Sequence, residues 1–417
     1  MIHELVALFE NEVFVKAVHY FLVTWPFWAP IIFIDIAWHF WMDYIRRSWL
    51  SKQGNIFLEI KIPKDQPKSP AAMEVVLQGI WENANISTPA DAFWEGKLRE
   101  WFSLEIVSVG GEVRFFIWAF PRWKKIIESR IYAQFPGAEV VEAEDYALKL
   151  HYDPETTFVA GVNTGLANKF EAFPINTYVE QELHKKKGDE QEEIVDPLTP
   201  VIEYLGTLKP GEIAVYQILI RAHAKEDYLY GRMSTKKDWR ASGAVKEAIK
   251  EVIEKQAYIE KEKDKPASMM ALTDDQKHII AAIERNASKL AFDTMIRLFY
   301  TAPEGAQDKT RLMGMIGSMR QFGASNMNGI KPEFFSFTHP WQDFNNIRKT
   351  ERWIKFVDAI KRRAYFGEPH FHLFHKPYVL STEEVATIFH FPGSTTTTPN
   401  LKRAPSKKAE APANLPI

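Results

Sequence analysis

Apolar positions change their period several times along this chain, and each change predicts an element. Near the start there is no period at all. From Ala17 to Ile34 eighteen residues carry no formal charge, and apolar character resumes after Asp35 as far as Met42. Eleven of the thirty residues from Tyr20 to Trp49 are aromatic, among them Trp25, Trp28, Trp38 and Trp41. About twenty apolar residues span a bilayer, and Trp gathers at its interfaces. The run therefore predicts a transmembrane helix over about 17–42, with Pro26 and Pro30 as kinks. A buried or membrane-surface apolar helix is the competing reading. Ile2, Leu5, Val6, Phe9 and Val13 keep helical spacing, so a short amphipathic helix over 2–15 precedes the span. Arg46, Arg47 and Lys52 follow the span, whereas Lys16 stands alone before it. That asymmetry predicts a single-pass protein of the cytoplasmic membrane with the bulk of the chain in the cytoplasm, anchored by residues 1–50.

Past the anchor the pattern alternates between periods of two and of 3.6. Residues 55–62 read as a strand, and Ser69-Pro70 starts a helix with Met73, Val76, Leu77, Ile80 and Trp81 on one face. Strand-like runs at 103–109 and 112–120 flank Gly110-Gly111, a strong two-residue hairpin signal. Phe116 and Trp118 face away from Val113, Phe115 and Ile117 and need a cover, a second unit before a stacked nucleobase. Pro121 opens a helix through Trp123, Ile127 and Ile131, and residues 138–142 form a last strand. Strand–helix–strand twice over predicts a ferredoxin-like unit at 53–150.

The same order recurs at 151–345. A strand is expected at 173–181, a helix at 197–208, central strands at 211–222 and 290–300, a helix at 304–321 and a weak strand at 334–337. A helical hairpin is inserted at 236–286, its second arm opened by a Thr273…Gln276 capping box. The fold class expected is thus α+β: an N-terminal transmembrane helix followed by two tandem ferredoxin-like (split βαβ) units, the second with the hairpin insertion. Residues 346–391 are expected to form a basic helix and a junction, with Ser381 and Glu384 capping a short helix. Residues 392–417, rich in Thr, Pro and Lys, are expected to be a disordered tail.

Composition narrows the chemistry. A net charge of −2 over 417 residues argues against a protein that coats nucleic acid, and the absence of Cys removes thiolate metal sites, disulfides and thiol nucleophiles. No P-loop, GxGxxG, HExxH or GxSxG motif occurs. No catalytic, cofactor or metal residue is expected. His370, His372 and His375 have spacing that could serve a metal, but packing among aromatics is the plainer reading. The helix over 347–364 carries seven basic and two acidic residues. Arg348, Lys349, Arg352, Lys355, Lys361, Arg362 and Arg363 are therefore candidates for contact with an anionic partner, with Lys402, Arg403, Lys407 and Lys408 in the tail.

Three stretches carry a resemblance: FWAP…WHFWMDYIRRSWL, then FLEIKIPKD…KSPAAMEVVLQGIW, then WFSLEIVSVGGEVRFFIWAFPRWKKIIESRIYAQFPGAEVVEAEDY. They resemble the amino-terminal region of bacterial HerA/TraG-like conjugative-transfer ATPases. The closing LSTEEVATIFHFPGSTTTTPNLKRAPSKKAEAPANLP resembles the junction into the motor of such proteins. The chain reaches Ile417 without a Walker motif, so the resemblance implies no catalytic residue. It implies a membrane-anchored, non-catalytic scaffold of a conjugation or type IV secretion-like apparatus. A HerA/FtsK-type ATPase would be supplied in trans, residues 381–417 would be poorly ordered until that partner docks, and homo-oligomers are possible. A membrane-tethered nucleic-acid-binding protein using the basic helix and tail is the alternative.

Overall fold

In a computed structural model, the residues described are 12–63, 68–82, 88–168, 170–183, 196–224, 243–261, 272–334, 343, 345–367 and 369–392. The chain forms two compact units, one of residues 1–52, 86–98 and 226–234, the other of the remainder.

In the first unit the apolar run does not make one helix. It is divided between α1 (Glu12–Val23) and α2 (Trp25–Gln53). At Thr24 the hydroxyl bonds back to the Tyr20 carbonyl at 2.7 Å, and Pro26, lacking an N–H, cannot continue the α1 ladder. Only the ten residues Trp25–Ile34 of α2 precede the charge of Asp35. At 1.5 Å per residue they span about 15 Å, half of a bilayer core of about 30 Å. Among the described residues no helix is long and apolar enough to cross a membrane. The transmembrane helix over 17–42 and the single-pass placement in the cytoplasmic membrane are thereby overturned. Most of the amphipathic helix expected over 2–15 lies outside the described residues.

The second unit is built on one antiparallel sheet. Its elements in chain order are β1 (Ile56–Lys61), α3 (Ala71–Ile80), β2 (Phe102–Val109), β3 (Glu112–Ala119), α4 (Lys124–Gln134), β4 (Glu139–Glu142), β5 (Thr157–Leu166), α5 (Thr199–Gly206), β6 (Ile213–Ala222), α6 (Ala244–Lys261), α7 (Asp274–Ser288), β7 (Ala291–Pro303), α8 (Arg311–Ser318), β8 (Ile330–Glu333), α9 (Ile347–Lys361), β9 (Tyr378–Ser381) and α10 (Thr382–Ile388). The strand order is β4-β1-β3-β2-β6-β7-β5-β8, with β9 also paired to β7.

Strand–helix–strand–strand–helix–strand connectivity does recur in the two halves, yet they do not stand as two units. β2 pairs β6 along its whole length, from Phe102↔Ile220 to Val109↔Ile213. An edge strand exposes a row of unmet backbone N–H and C=O groups, and joining two such edges satisfies both. Two tandem ferredoxin-like units after a membrane helix is therefore not the architecture; a single nine-stranded sheet is. The sheet also recruits β9, which continues β5's side of β7 through Ala291↔Ser381 to Thr294↔Tyr378.

The hairpin signal holds. Gly110 and Gly111 both have positive φ (59° and 92°), as a two-residue turn with the right twist requires. The strand expected at 173–181 is instead a run of turns, and β5 takes its place. β8 falls at 330–333; of the expected 334–337, residues 335–337 lie outside the described set, as does the tail from 393 onward.

One face of the sheet is packed by α3, α4, α5, α8 and α10. There Phe115 meets Phe389 and Phe391, Ser108 bonds to the Leu205 carbonyl at 2.8 Å, and Tyr216 to the Met315 carbonyl at 3.0 Å. The hairpin α6–α7 packs Ala248, Val252, Ile279 and Ile283 on Ala172, Phe173 and Val379. The opposite face is covered by α9 and by the turn Tyr146–Lys149. Phe116 and Trp118 are buried there, but against Phe57, Tyr146 and Trp101 rather than under a separate second unit.

Residues 381–391, expected to be poorly ordered, are core. Every residue from Tyr378 to Phe391 is buried, and α10 opens with a capping box between Ser381 and Glu384. The apolar side chains Val385, Ile388, Phe389 and Phe391 offset the ordering entropy that the downstream composition cannot.

Candidate functional site

The face beneath α9 is unusually ionic. Arg363 follows α9 in the left-handed region (φ 50°) and is 1% exposed. Its guanidinium donates to Glu105 at 2.9 and 3.1 Å, to Asp145 and to the Lys361 carbonyl. It also lies over the rings of Phe57 and Tyr146. Burial, the largest single influence, would lower its pKa; the Glu105 charge together with Tyr146 and the hydrogen bonds to Asp145 and Glu105 outweighs it and raises the pKa. Glu105 further accepts from Ser103, Tyr146 and Gln217 at 2.6, 2.9 and 3.0 Å.

Next along the sheet, Arg297 donates to the carbonyls of Ala359 and Ala364 at 3.2 and 2.9 Å, and Gln217 donates to that of Ile360 at 3.1 Å. The Ala359 and Ile360 carbonyls, at the end of α9, also accept the backbone N–H groups of Ala364 and Arg363, at 3.0 and 3.1 Å, and the negative end of the helix dipole favours a cation there. Burial pushes the Arg297 pKa down to about 10. Beyond it, Asp293 is gripped by His223 and Arg221 at 2.6 and 2.9 Å, with Arg99 at 3.6 Å. Burial would raise its pKa, but the His223 hydrogen bond and the Arg221 charge hold it well below the carboxylate range. Arg363, Arg297 and Gln217 seat the end of α9 on the sheet.

Arg363 is thus no candidate for an external anion: the sequence placed it on a basic surface, and the structure puts it in the core. Lys355 pairs with Glu351 at 2.6 Å and Arg362 with Asp358 at 2.9 Å, both on the exposed side of α9. Arg348, Lys349 and Arg352 belong to the first two turns; Arg348 and Lys349 are exposed and Arg352 half-buried. Lys361, half-buried, ends the helix. Basic side chains at a helix N-terminus oppose the dipole. What offsets them is Asp343, whose carboxylate accepts the backbone N–H of Arg348 at 3.1 Å and of Lys349 at 2.9 Å.

Beside this end of α9 opens a cleft of about 230 Å³. Trp353 and Tyr152 supply aromatic wall, Lys309 and Lys349 positive charge, and Gln307, Thr157 and Glu304 polar groups. The side-chain oxygen of Gln307 is buried without a hydrogen-bond partner, while its amide donates to Glu304 at 2.8 Å. Nothing in the residue pattern signals this cleft, because its walls come from three distant segments.

The three histidines do not converge. His370 donates to Asp358 at 2.7 Å, His372 stacks on Phe371 and Tyr365, and His375 accepts from Asn163 at 3.3 Å. Among the described residues no group of three His, Cys, Asp or Glu side chains could hold a metal ion.

The expected membrane-anchor residues have other duties. Trp38 packs edge-on against Phe93, and Trp41 donates its indole N–H to the Phe93 carbonyl at 2.8 Å and packs against Trp94. Both hold the short helical turn Pro89–Phe93 on α2. Trp28 stacks on Phe21 across the α1–α2 break, Trp25 is exposed, Arg46 is buried, and Arg47 pairs with Asp43 at 2.8 Å. Met42 and Ile45 are buried, but part of the apolar surface is exposed. Ile31, Ile32, Phe33 and Ile34 are 68, 48, 67 and 68% exposed. Four successive residues step about 100° each and so face every side of a helix.

The fold and these surfaces define an α+β body on one antiparallel sheet, joined to an uncovered apolar helix. The family model for a domain of unknown function, DUF8128, matches residues 48–404, and the chain belongs to that family. No curated protein matches the chain. Neither comparison offers support for conjugation or type IV secretion, and that assignment is withdrawn along with the transmembrane helix.

Proposed function

We propose that this chain is a non-catalytic docking protein, a scaffold that joins other protein chains through α1–α2. The observation that carries the reading is the exposure of the successive apolar side chains Ile31, Ile32, Phe33 and Ile34, which face every side of α2. A helix that is apolar all round is stable where it is surrounded, and a groove on one partner covers only one side. Copies of the chain packing their α2 helices together would surround it. The deep titratable groups of the sheet support a structural role, since Arg363 is bound to Glu105 and His223 to Asp293. Light scattering on the full chain without detergent tests the idea. A multimer is expected, and Ile31→Ser/Phe33→Ser/Ile34→Ser, all at exposed positions, should shift it towards monomer. A monomer in both cases would sink the reading.

A second reading has its own observation. Arg348 and Lys349 sit where the helix dipole disfavours them, so helix stability does not account for them. Contact with an anionic partner, nucleic acid foremost, does. Fluorescence anisotropy with a labelled single strand should show binding that weakens steeply with salt, and more weakly in Arg348→Gln/Arg352→Gln.

A further inference from the structure

We propose that two copies of the chain pair through α2 about a two-fold axis, antiparallel, along the seam Phe33, Ala37, Phe40 and Tyr44. The inference rests on the docking reading above, and names the surface and geometry of that contact. The seam begins past Pro30, so the helix is unbroken along it. Its residues are spaced by four, three and four, as in a coiled-coil seam, and at about 100° per residue they fall within about 60° of arc. Phe33, Phe40 and Tyr44 are 67, 72 and 67% exposed, and Ala37 is exposed between them. Trp38, Met42 and Ile45 stand about 120–180° away, on a side already occupied. Trp38 packs on Phe93, Met42 and Ile45 are buried, and a Cβ on Gly96 would lie 2.6 Å from the Ile45 carbonyl. From Phe33 to Tyr44 the helix is thus covered on one side by its own unit and bare on the other. One partner helix completes it.

Residue size says which partner. Parallel copies would set Ala37 against Ala37 and Phe40 against Phe40, a void beside a clash. In an antiparallel pair, Ala37 of each copy receives Phe40 of the other, and Phe33 meets Tyr44. The surface is therefore complementary to itself, and such an isologous contact closes at two copies. At about 150–250 Å² for a whole aromatic side chain, Phe33, Phe40, Tyr44 and the flanking Trp41 offer roughly 500 Å² per copy at their exposures. A standard interface buries about 800 Å² on each partner, and exposed Ile34 and Ile36 bring the seam close to that. Arg47, at the next interval, is held by Asp43 at 2.8 Å and bounds the seam with charge.

The chain has no Cys, so disulfide trapping reads the geometry directly. Full-length Phe33→Cys and Tyr44→Cys chains, mixed and oxidised without detergent, should give a crosslinked mixed dimer. Neither should crosslink to itself, since an offset of about 16 Å along the helix exceeds the reach of about 7 Å between Cα atoms. Phe40→Ser, at an exposed position, should raise the dissociation concentration at least about tenfold in light scattering, with circular dichroism unchanged. Self-crosslinking of Phe33→Cys would overturn the antiparallel pairing. A multimer that neither traps the mixed dimer nor weakens in Phe40→Ser would overturn the seam while leaving the docking reading standing. A monomeric full chain, which would leave the seam to a partner of another kind, would overturn both.

Discussion

Arg363 shows how a residue's neighbours decide its meaning. In sequence it is the last of a basic run; in space it bridges Glu105 and Asp145 with its head under Phe57. A non-glycine residue in the left-handed region costs of order 1 kcal/mol, which the bridge and the ring contacts offset. Removing one partner of a buried ion pair leaves the other charged and unpaired, at about 3–5 kcal/mol. Arg363→Ala should therefore lower the urea midpoint by far more than Arg362→Ala, whose exposed pair with Asp358 contributes little. Equal midpoints for the two variants would contradict the buried network. Gly161 makes a similar point through size: a Cβ there would lie 2.4 Å from the Phe356 ring. Its lack of a side chain is the seat of α9.

Among elements, α10 is the one whose sequence most misled. Seven residues long and followed by a Thr-, Pro- and Lys-rich stretch, it resembles the beginning of a linker. Its place in the core comes from β9, which pairs with β7, and from the capping box that turns the chain directly into a helix against α3. Ser381 accepts the Glu384 N–H at 3.3 Å, and Glu384 accepts the N–H groups of Ser381 and Ile175 at 2.7 and 2.9 Å. Losing an N-cap typically costs about 1 kcal/mol. Ser381→Ala should cost at least that, because the end it leaves is buried, and hydrogen exchange should rise first at residues 382–388. Exchange unchanged there would show that packing alone holds α10.

At the scale of the whole molecule, three buried groups set the dependence of stability on pH. Asp293 is held below its usual range, so its contribution is present above about pH 4 and is lost as pH falls further. Glu384 is pushed up to about 7, by burial first of all. Its contribution is complete below about pH 4 and disappears as pH rises towards 7, at about 3 kcal/mol in all. His390 donates to Asp196 at 2.9 Å and to the end carbonyls of α10; burial would lower its pKa, but Asp196 raises it. That contribution is present below about pH 6.5 and lost above the raised value. Urea midpoints should thus peak near about pH 4, falling on both sides. Glu384→Gln should flatten the fall towards neutral. A midpoint that climbs steadily from pH 5 to 8 would refute the assignment.

Periodicity made much of the body legible before any coordinates. The helix with Met73, Val76 and Leu77 inward, the Gly110-Gly111 hairpin, the α6–α7 arms and the Ser381 cap are local signals, written in residues three or four apart or in a single turn. β5 escaped because Gly161 and Gly165 dilute its apolar pattern, and those glycines are there for Phe356 and Glu333, far along the chain. The apolar run at 17–34 could be read for its hydrophobicity but not for its break at Thr24, which Pro26 enforces while Pro30 is carried inside α2. Whether two similar halves stay apart or fuse lies in the pairing of β2 with β6, between backbone groups that every sequence possesses. The seven cations of the basic helix were countable from sequence. Which of them point inward depends on where the helix ends over the sheet, and only the packed structure decides that.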